Sequence, residues 1–184
     1  MSSTRPDALS ATVTPVYLAA SDPRAATMIA DLADVYGALY GPGAHDEMTR
    51  YPADLFDPPQ GAFMLLMHDD VAVAGGAFMS HSAGTAEFKR IWTHADHRRQ
   101  GLSRRVLAEL ESEAARRGYV RVFLTTGPRQ PEAIALYRST GYTPLFDVHA
   151  DPERIGLHSF EKMIGSPPAD QPLPPITPPV LRLD

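Results

Sequence analysis

Apolar residues along this chain alternate between two rhythms. From Ser21 to Gly41, Met28, Ile29, Leu32, Val35, Tyr36 and Leu39 follow the spacing of one helical face, with Ser21 or Asp22 as N-cap and Gly41 as the stop. Leu102, Val106, Leu107, Leu110 and Ala114 repeat that stripe in a helix opening at about Gly101 and closed by Gly118. A third, shorter helix is bracketed by Pro131 at its first position, Glu132 in its first turn and Gly141 just past its end. Between these lie strand-like runs: Thr12–Ala20, 61–68, 71–80, 85–94, 119–126, "YTPLF" (142–146) and 158–164. Turn residues at Asp69–Asp70 and His81–Gly84 make an antiparallel meander of the second to fourth runs. The fifth run, "YVRVFLTT", is continuously β-rich and suits a strand covered on both faces.

From 42 to 60 the chain is irregular, with Pro52, Pro58 and Pro59 breaking any long element; a short helix is expected around Asp46–Tyr51. After Ile164 the composition changes. Seven of the eighteen prolines fall in the last twenty residues, so 165–184 reads as an extended tail, a linker or a strap along the surface. Residues 1–10 read as a flexible lead and 11–164 as a single domain.

A net charge of −5 speaks against a general nucleic-acid binder and leaves room for a local basic pocket. With no cysteine, disulfides, thiolate metal sites and a cysteine nucleophile are excluded. The opening "MSSTRPDALSATVTP" lacks an apolar signal core, and the densest apolar run, Ala62–Met67, is too short to span a bilayer, so a cytoplasmic protein with no membrane association is expected.

One stretch stands out against the acidic total. "HRRQGLSRRV" sets Arg98, Arg99, Arg104 and Arg105 around Gly101, at the positive end of the helix expected there. Unbonded first-turn amides, a glycine that permits close approach and four guanidinium groups together make an anion site suited to a phosphate or pyrophosphate. An ordinary solvated basic face is the competing reading.

Arg98–Ser103, "RRQGLS", resembles the Arg/Gln-x-x-Gly-x-Gly/Ala loop of the GCN5-related N-acetyltransferase (GNAT) superfamily, which cradles the pyrophosphate of coenzyme A. "AEFKRIWTHADH" (86–97) is similar to that family's fourth strand, and "QPEAIALYRSTGY" (130–142) to its Asn-x-x-Ala-x-x-Leu-Tyr-x-x-x-Gly-Phe motif. Ser103, Gln130 and Thr93 depart from the commonest residues at their positions without removing an essential group. The likeness covers about 61–146. It implies an α/β fold with a central, mostly antiparallel sheet of six to seven strands, splayed between strands 4 and 5 and flanked by about four helices.

It also implies acetyl-CoA as cosubstrate and an amine acceptor, with no metal and no nucleic acid. The coenzyme would be held by the Arg98, Arg99, Gln100, Gly101, Leu102, Ser103 and Arg104 loop, by Gln130, and by backbone groups of Ile91, Trp92 and Thr93. Trp92 has core packing as its other role. Tyr137 is the matched general acid for the leaving thiolate, with helix packing as its alternative. Glu87 is the matched base, directly or through water, with a salt bridge to Lys89 or Arg90 as its alternative. His81 and His94 are fallback bases, each also readable as a surface or core histidine.

The expected reaction is direct transfer to a small-molecule primary amine in a ternary complex. Transfer to a protein lysine or N-terminus, and a non-catalytic acyl-CoA-binding regulatory module, are the alternatives. Acidic residues of the 41–60 segment, Asp46, Glu47, Asp54 and Asp57, could steer a cationic acceptor or simply be solvated. Homodimers are common in such families, and nothing in the chain marks an interface.

Overall fold

The computed structural model describes residues 12–43 and 50–179. Its strands are β1 (Thr14–Leu18), β2 (Ala62–His68), β3 (Val71–Ser82), β4 (Thr85–Thr93), β5 (Arg121–Thr126), β6 (Thr143–Pro144) and β7 (His158–Met163). Its helices are α1 (Ala26–Tyr40), α2 (Leu102–Arg116), α3 (Pro131–Ser139) and α4 (Pro152–Ile155). The strands form one sheet in the order β1-β2-β3-β4-β5-β7-β6. Every pairing is antiparallel except β4 with β5. That parallel pair needs a crossover, which α2 supplies.

The two hydrophobic rhythms are resolved by the pleat. Along β2, Met64 and Leu66 face the layer formed by α2's Leu102, Val106, Leu107 and Leu110, with Phe78 and Phe88 beside them. Phe63 and Leu65 face the opposite way, toward α1's Met28 and Leu32 and toward Phe56, with Ala77, Met79 and Trp92. Both faces are covered, which is why β2 and β5 read as continuous apolar runs rather than alternating ones.

The meander is present, with Asp69 and Asp70 both left-handed at its first turn (φ 46° and 64°). Its second turn is shorter than expected. β3 continues through His81 and Ser82, leaving Ala83–Gly84 to reverse the chain, so His81 belongs to a strand. Asp22 caps a 3-10 turn at Pro23–Ala25 by accepting from the Arg24 amide, and the α-helix follows from Ala26. Gly101 is the N-cap of α2 rather than its first residue. Of 142–146 only Thr143–Pro144 is a strand, although the Leu145 amide still donates to the Ser159 carbonyl at 2.8 Å, and β5 begins at Arg121. Helix α4 was not anticipated, although Asp151 caps it through the Glu153 amide and Pro152 opens it. Most of the helix expected around Asp46–Tyr51, with Asp46 and Glu47, lies outside the described residues; a 3-10 turn at Ala53–Phe56 follows it.

The proline-rich segment lies against the domain as a strap over the described part of the tail. The Ile164 and Gly165 amides both donate to the Val120 carbonyl. Arg121, buried between β4 and the tail, donates from Nε to Thr85 Oγ1 at 3.0 Å and from Nη2 to the Pro174 carbonyl at 2.5 Å.

At the other end of α2, the buried Glu113 accepts from Arg116 and from Arg117, the latter at 2.7 Å. Burial pushes its carboxyl up, but the two guanidinium groups outweigh that and hold it below the usual carboxylate range. A depressed carboxyl stabilises the fold above its unfolded value and loses that contribution as pH falls through its folded value. Glu113→Gln should therefore cost on the order of 1 kcal/mol at neutral pH. The difference from the parent should shrink toward zero as pH drops below about 4. Thermal melts across pH check both the size and the sign.

Candidate active site

The parallel pair β4–β5 is joined only at its beginning. Thr85 to Phe88 pair with Arg121 to Leu124, and there the pairing stops. Beyond it β4 stays with β3 and β5 stays with β7, so a gap opens between them. A bulge sharpens the divergence. Ala77 opposes Lys89 and Gly75 opposes Trp92, so Gly76 faces two residues, Arg90 and Ile91, with Arg90 left-handed (φ 59°). A Cβ on Gly76 would come within 2.8 Å of the Leu110 side chain and 2.9 Å of that of Ile91, so glycine lets both side chains pack closely on β3 at the bulge.

Past the bulge the pleat decides which backbone groups face the gap. The His94 amide donates to the Val73 carbonyl at 2.9 Å. Strand alternation then turns Trp92 toward Gly75, and Ile91 and Thr93 toward the gap. Trp92, the middle residue of the expected backbone set, pairs with Gly75 of β3. Its main chain is engaged by β3, and its buried indole donates to Asp31 Oδ2 at 3.2 Å.

The basic loop sits at the open end of this gap, after a 3-10 turn at Ala95–His97 that His94 caps through the Asp96 amide. That cap gives His94 a structural role. Arg99 and Gly101 are both left-handed (φ 60° and 78°), a conformation glycine takes freely and arginine does not. The first i to i−4 bond of α2 runs from the Arg105 amide to the Gly101 carbonyl at 3.1 Å. The Leu102, Ser103 and Arg104 amides precede it and have no helical partner. Ser103 Oγ lies 2.9 Å from Thr93 Oγ1, stitching the helix start to the end of β4. Leu102 is buried, so it can offer the loop only its amide.

The four arginines divide. Arg104 reaches Ser139 at the C-terminal end of α3, donating to its hydroxyl at 2.7 Å and its carbonyl at 3.3 Å, a favourable end for a cation. This directs the Arg104 side chain to α3 and leaves its amide at the loop. Arg105 pairs with Glu109 one turn on, at 3.0 Å. Arg98 and Arg99 are exposed beside Gln100 and Gly101. Two exposed cations next to three unbonded amides form a place where a diphosphate can sit. On the far side of the gap, Gln130 accepts from Thr126 Oγ1 (2.9 Å) and the Gly127 amide (3.3 Å), shaping the turn from β5 into α3.

Tyr137 is carried on α3, buried against Tyr142 and Phe160 with ring centroids 5.7 and 5.5 Å away. Burial pushes its phenol well above the ordinary range, with Tyr36 of α1 adding to the shift, so it holds its proton at any assay pH. Glu87 lies at the closed end of the gap, opposite Phe123 and one step before the last β4–β5 pair. Its Oε1 is 2.8 Å from Lys89 Nζ and its Oε2 is 3.3 Å from His81 Nδ1. Lys89 donates in turn to Tyr51 Oη at 3.2 Å and lies over that ring. Burial opposes its charge, yet Glu87 and Tyr51 together hold the ammonium above its usual range. Arg90, the other expected partner of Glu87, stacks over Phe56 at 4.5 Å. The irregular segment thus packs on β4 through Tyr51 and Phe56.

Sequence reasoning missed the contact between His81 and Glu87 because it put His81 in the turn. Even a two-residue reversal at Ala83–Gly84 would have set His81 against Ala86; it is the register shift between Ser80 and Ser82 that puts Glu87 opposite Met79 and within reach of His81.

Residues 26–142 match the Acetyltransferase (GNAT) family. The chain belongs to that family. YsnE of Bacillus subtilis, an N-acetyltransferase by name, is 31% identical over 102 residues, 53% of this chain and 68% of its own. An acyl-CoA N-acyltransferase fold from Klebsiella pneumoniae superposes with a TM-score of 0.66 at 27% identity, covering 84% of this GNAT chain and 99% of its own. YncA of Salmonella typhimurium, solved with its cofactor acetyl-CoA, superposes at 0.62 with 19% identity, covering 86% and 98%. Among the described residues of this GNAT protein, no helix is long and apolar enough to cross a membrane.

Proposed function

We propose that this GNAT protein transfers the acetyl group of acetyl-CoA directly to a primary amine of a small molecule, within a ternary complex. The observation that carries the reading is the gap between β4 and β5, edged by the Ile91 and Thr93 backbone and ending at the Gly101 amides. A pantetheine arm carries amide groups along its length and can pair with the open edge of β4 as an added strand does. Its diphosphate falls at the α2 N-terminus, beside Arg98, Arg99, Gln100 and Ser103. Its thioester then points inward toward the fork, about 3.3 Å of strand per residue from Thr93 toward Lys89. YncA, solved with acetyl-CoA on the same fold, supports acetyl-CoA as the ligand.

The chemistry follows from what each group can do. The amine nitrogen attacks the thioester carbon, a C–N bond forms, the C–S bond breaks, and the sulfur departs with the bonding pair. Tyr137 supplies the proton that turns this thiolate into a thiol. Burial weakens the phenol as an acid, but the same dry surroundings raise the basicity of the thiolate, so the two shifts run together. The amine's own proton leaves on the side of Glu87, His81 and Lys89. Holding donor and acceptor in one gap supplies much of the acceleration by proximity.

Thiol release from acetyl-CoA, measured across pooled small amines and lysine peptides, tests the reading. Turnover with a small primary amine, and an N-acetylated product by mass spectrometry, is the expected result. Acetylation confined to peptides would move the activity to protein substrates. Tight acetyl-CoA binding with no thiol release against any acceptor would reduce the protein to a binding module.

A further inference from the structure

We infer that His81 is the proton acceptor for the attacking amine and that Glu87 is its positioning residue; the inference rests on the acetyl-transfer reading above. In the family resemblance the glutamate of the fourth strand is the base. Here that carboxylate has both oxygens occupied, Oε1 by the Lys89 ammonium at 2.8 Å and Oε2 by His81 Nδ1 at 3.3 Å. Taking up a proton itself would break the ion pair and leave Lys89, whose side chain is only 14% exposed, as an uncompensated charge. His81 has no such obstacle. The carboxylate can only accept, so Nδ1 carries the ring hydrogen and Nε2 keeps a bare lone pair.

Position supports the same assignment. The His81 ring packs on Phe123 at 4.8 Å between centroids, and Phe123 is the β5 partner of Glu87 next to the last β4–β5 pair. The imidazole thus lies at the closed end of the gap. Its side chain is 26% exposed against 11% for Glu87, so the imidazole is the more accessible of the two. When the amine's proton moves to Nε2, the imidazolium formed is balanced by Glu87 through Nδ1–H. Among the described residues Glu87 pairs with His81 and Lys89 pairs with Glu87, with Tyr51 beyond Lys89 and the Phe123 ring packed on the imidazole.

Four measurements on the full chain test this. His81→Asn keeps an N–H donor near the place of Nδ1 but has no distal nitrogen. With acetyl-CoA and the amine found by the thiol-release screen, its kcat should fall about 100-fold. The acetyl-CoA dissociation constant from calorimetry should stay unchanged, and added imidazole should restore His81→Ala by about tenfold. Nitrogen NMR of the wild type should show the ring hydrogen on Nδ1 and none on Nε2 at alkaline pH. A His81→Asn enzyme keeping more than a third of the parent kcat overturns the inference while acetyl transfer stands, as does a hydrogen on Nε2. A wild type that binds acetyl-CoA but releases no thiol with any amine removes the transfer reading itself and the His81 role with it.

Discussion

Tyr137→Phe is expected to lower kcat by a factor of about 100 or more where chemistry limits the rate. Acetyl-CoA affinity and melting temperature should be nearly unchanged. The separation is expected because ring and hydroxyl do different jobs. The ring fills a buried site against Tyr142 and Phe160, and phenylalanine keeps those contacts. The hydroxyl is the only part lost, and its loss removes a polar group from a dry environment rather than opening a cavity. If Tyr137 were only packing, the substitution would be silent in turnover. If it protonates the thiolate, the barrier rises by about 2.7 kcal/mol for a 100-fold loss. Because burial holds the phenol above its ordinary range, the parent should show no alkaline fall in kcat from Tyr137 across an accessible pH series. Poorly basic leaving thiols should be less sensitive to the substitution than acetyl-CoA. Full turnover by the variant would mean that water or another group serves the thiolate.

What the sequence made legible divides along physical lines. The helices α1, α2 and α3 were readable because their apolar stripes and their ends agreed: Gly41, Gly118 and Gly141 each follow a helix in the left-handed region. The gap was readable only through resemblance. Nothing in the residue types of β4 and β5 says that their pairing stops after Phe88 and Leu124, because termination of a ladder is a tertiary property. The Arg90 bulge was invisible for the same reason, since a left-handed arginine defies local preference and is imposed by Gly76 and α2 packed behind it. Charge assignments fared unevenly. Four arginines around one glycine suggested four anion ligands, but Arg104 and Arg105 have near neighbours that satisfy them, Ser139 and Glu109. A side chain's sequence neighbours reveal an i, i+4 partner such as Glu109. They do not reveal one thirty-five residues away. Glu87 pairs with Lys89, two positions along the strand and on the same face, a contact that pleat alternation does predict.

The second large effect is expected at Gly101, where fold and binding should respond independently. Gly101→Asp places a carboxylate at the N-terminus of α2, beside the unbonded amides. For the fold the change is nearly neutral. A left-handed non-glycine residue costs about 1–2 kcal/mol, aspartate somewhat less, and a negative charge at this helix end returns about 0.3–1 kcal/mol. For the coenzyme it is severe. A unit charge about 6 Å from one charge of a diphosphate opposes it by about 3 kcal/mol at an effective dielectric near 20. That corresponds to at least a 100-fold loss of acetyl-CoA affinity, and the new carboxylate also competes for Arg98 and Arg99. Gly101→Asn separates shape from charge. It carries a side chain of the same size, tolerates the same backbone conformation, and should keep binding within about tenfold of the parent. Calorimetry and melting curves on the three proteins decide the matter. Equal acetyl-CoA affinities for the Asn and Asp variants would mean that no diphosphate rests on these amides, and the forked strands would then need a different occupant.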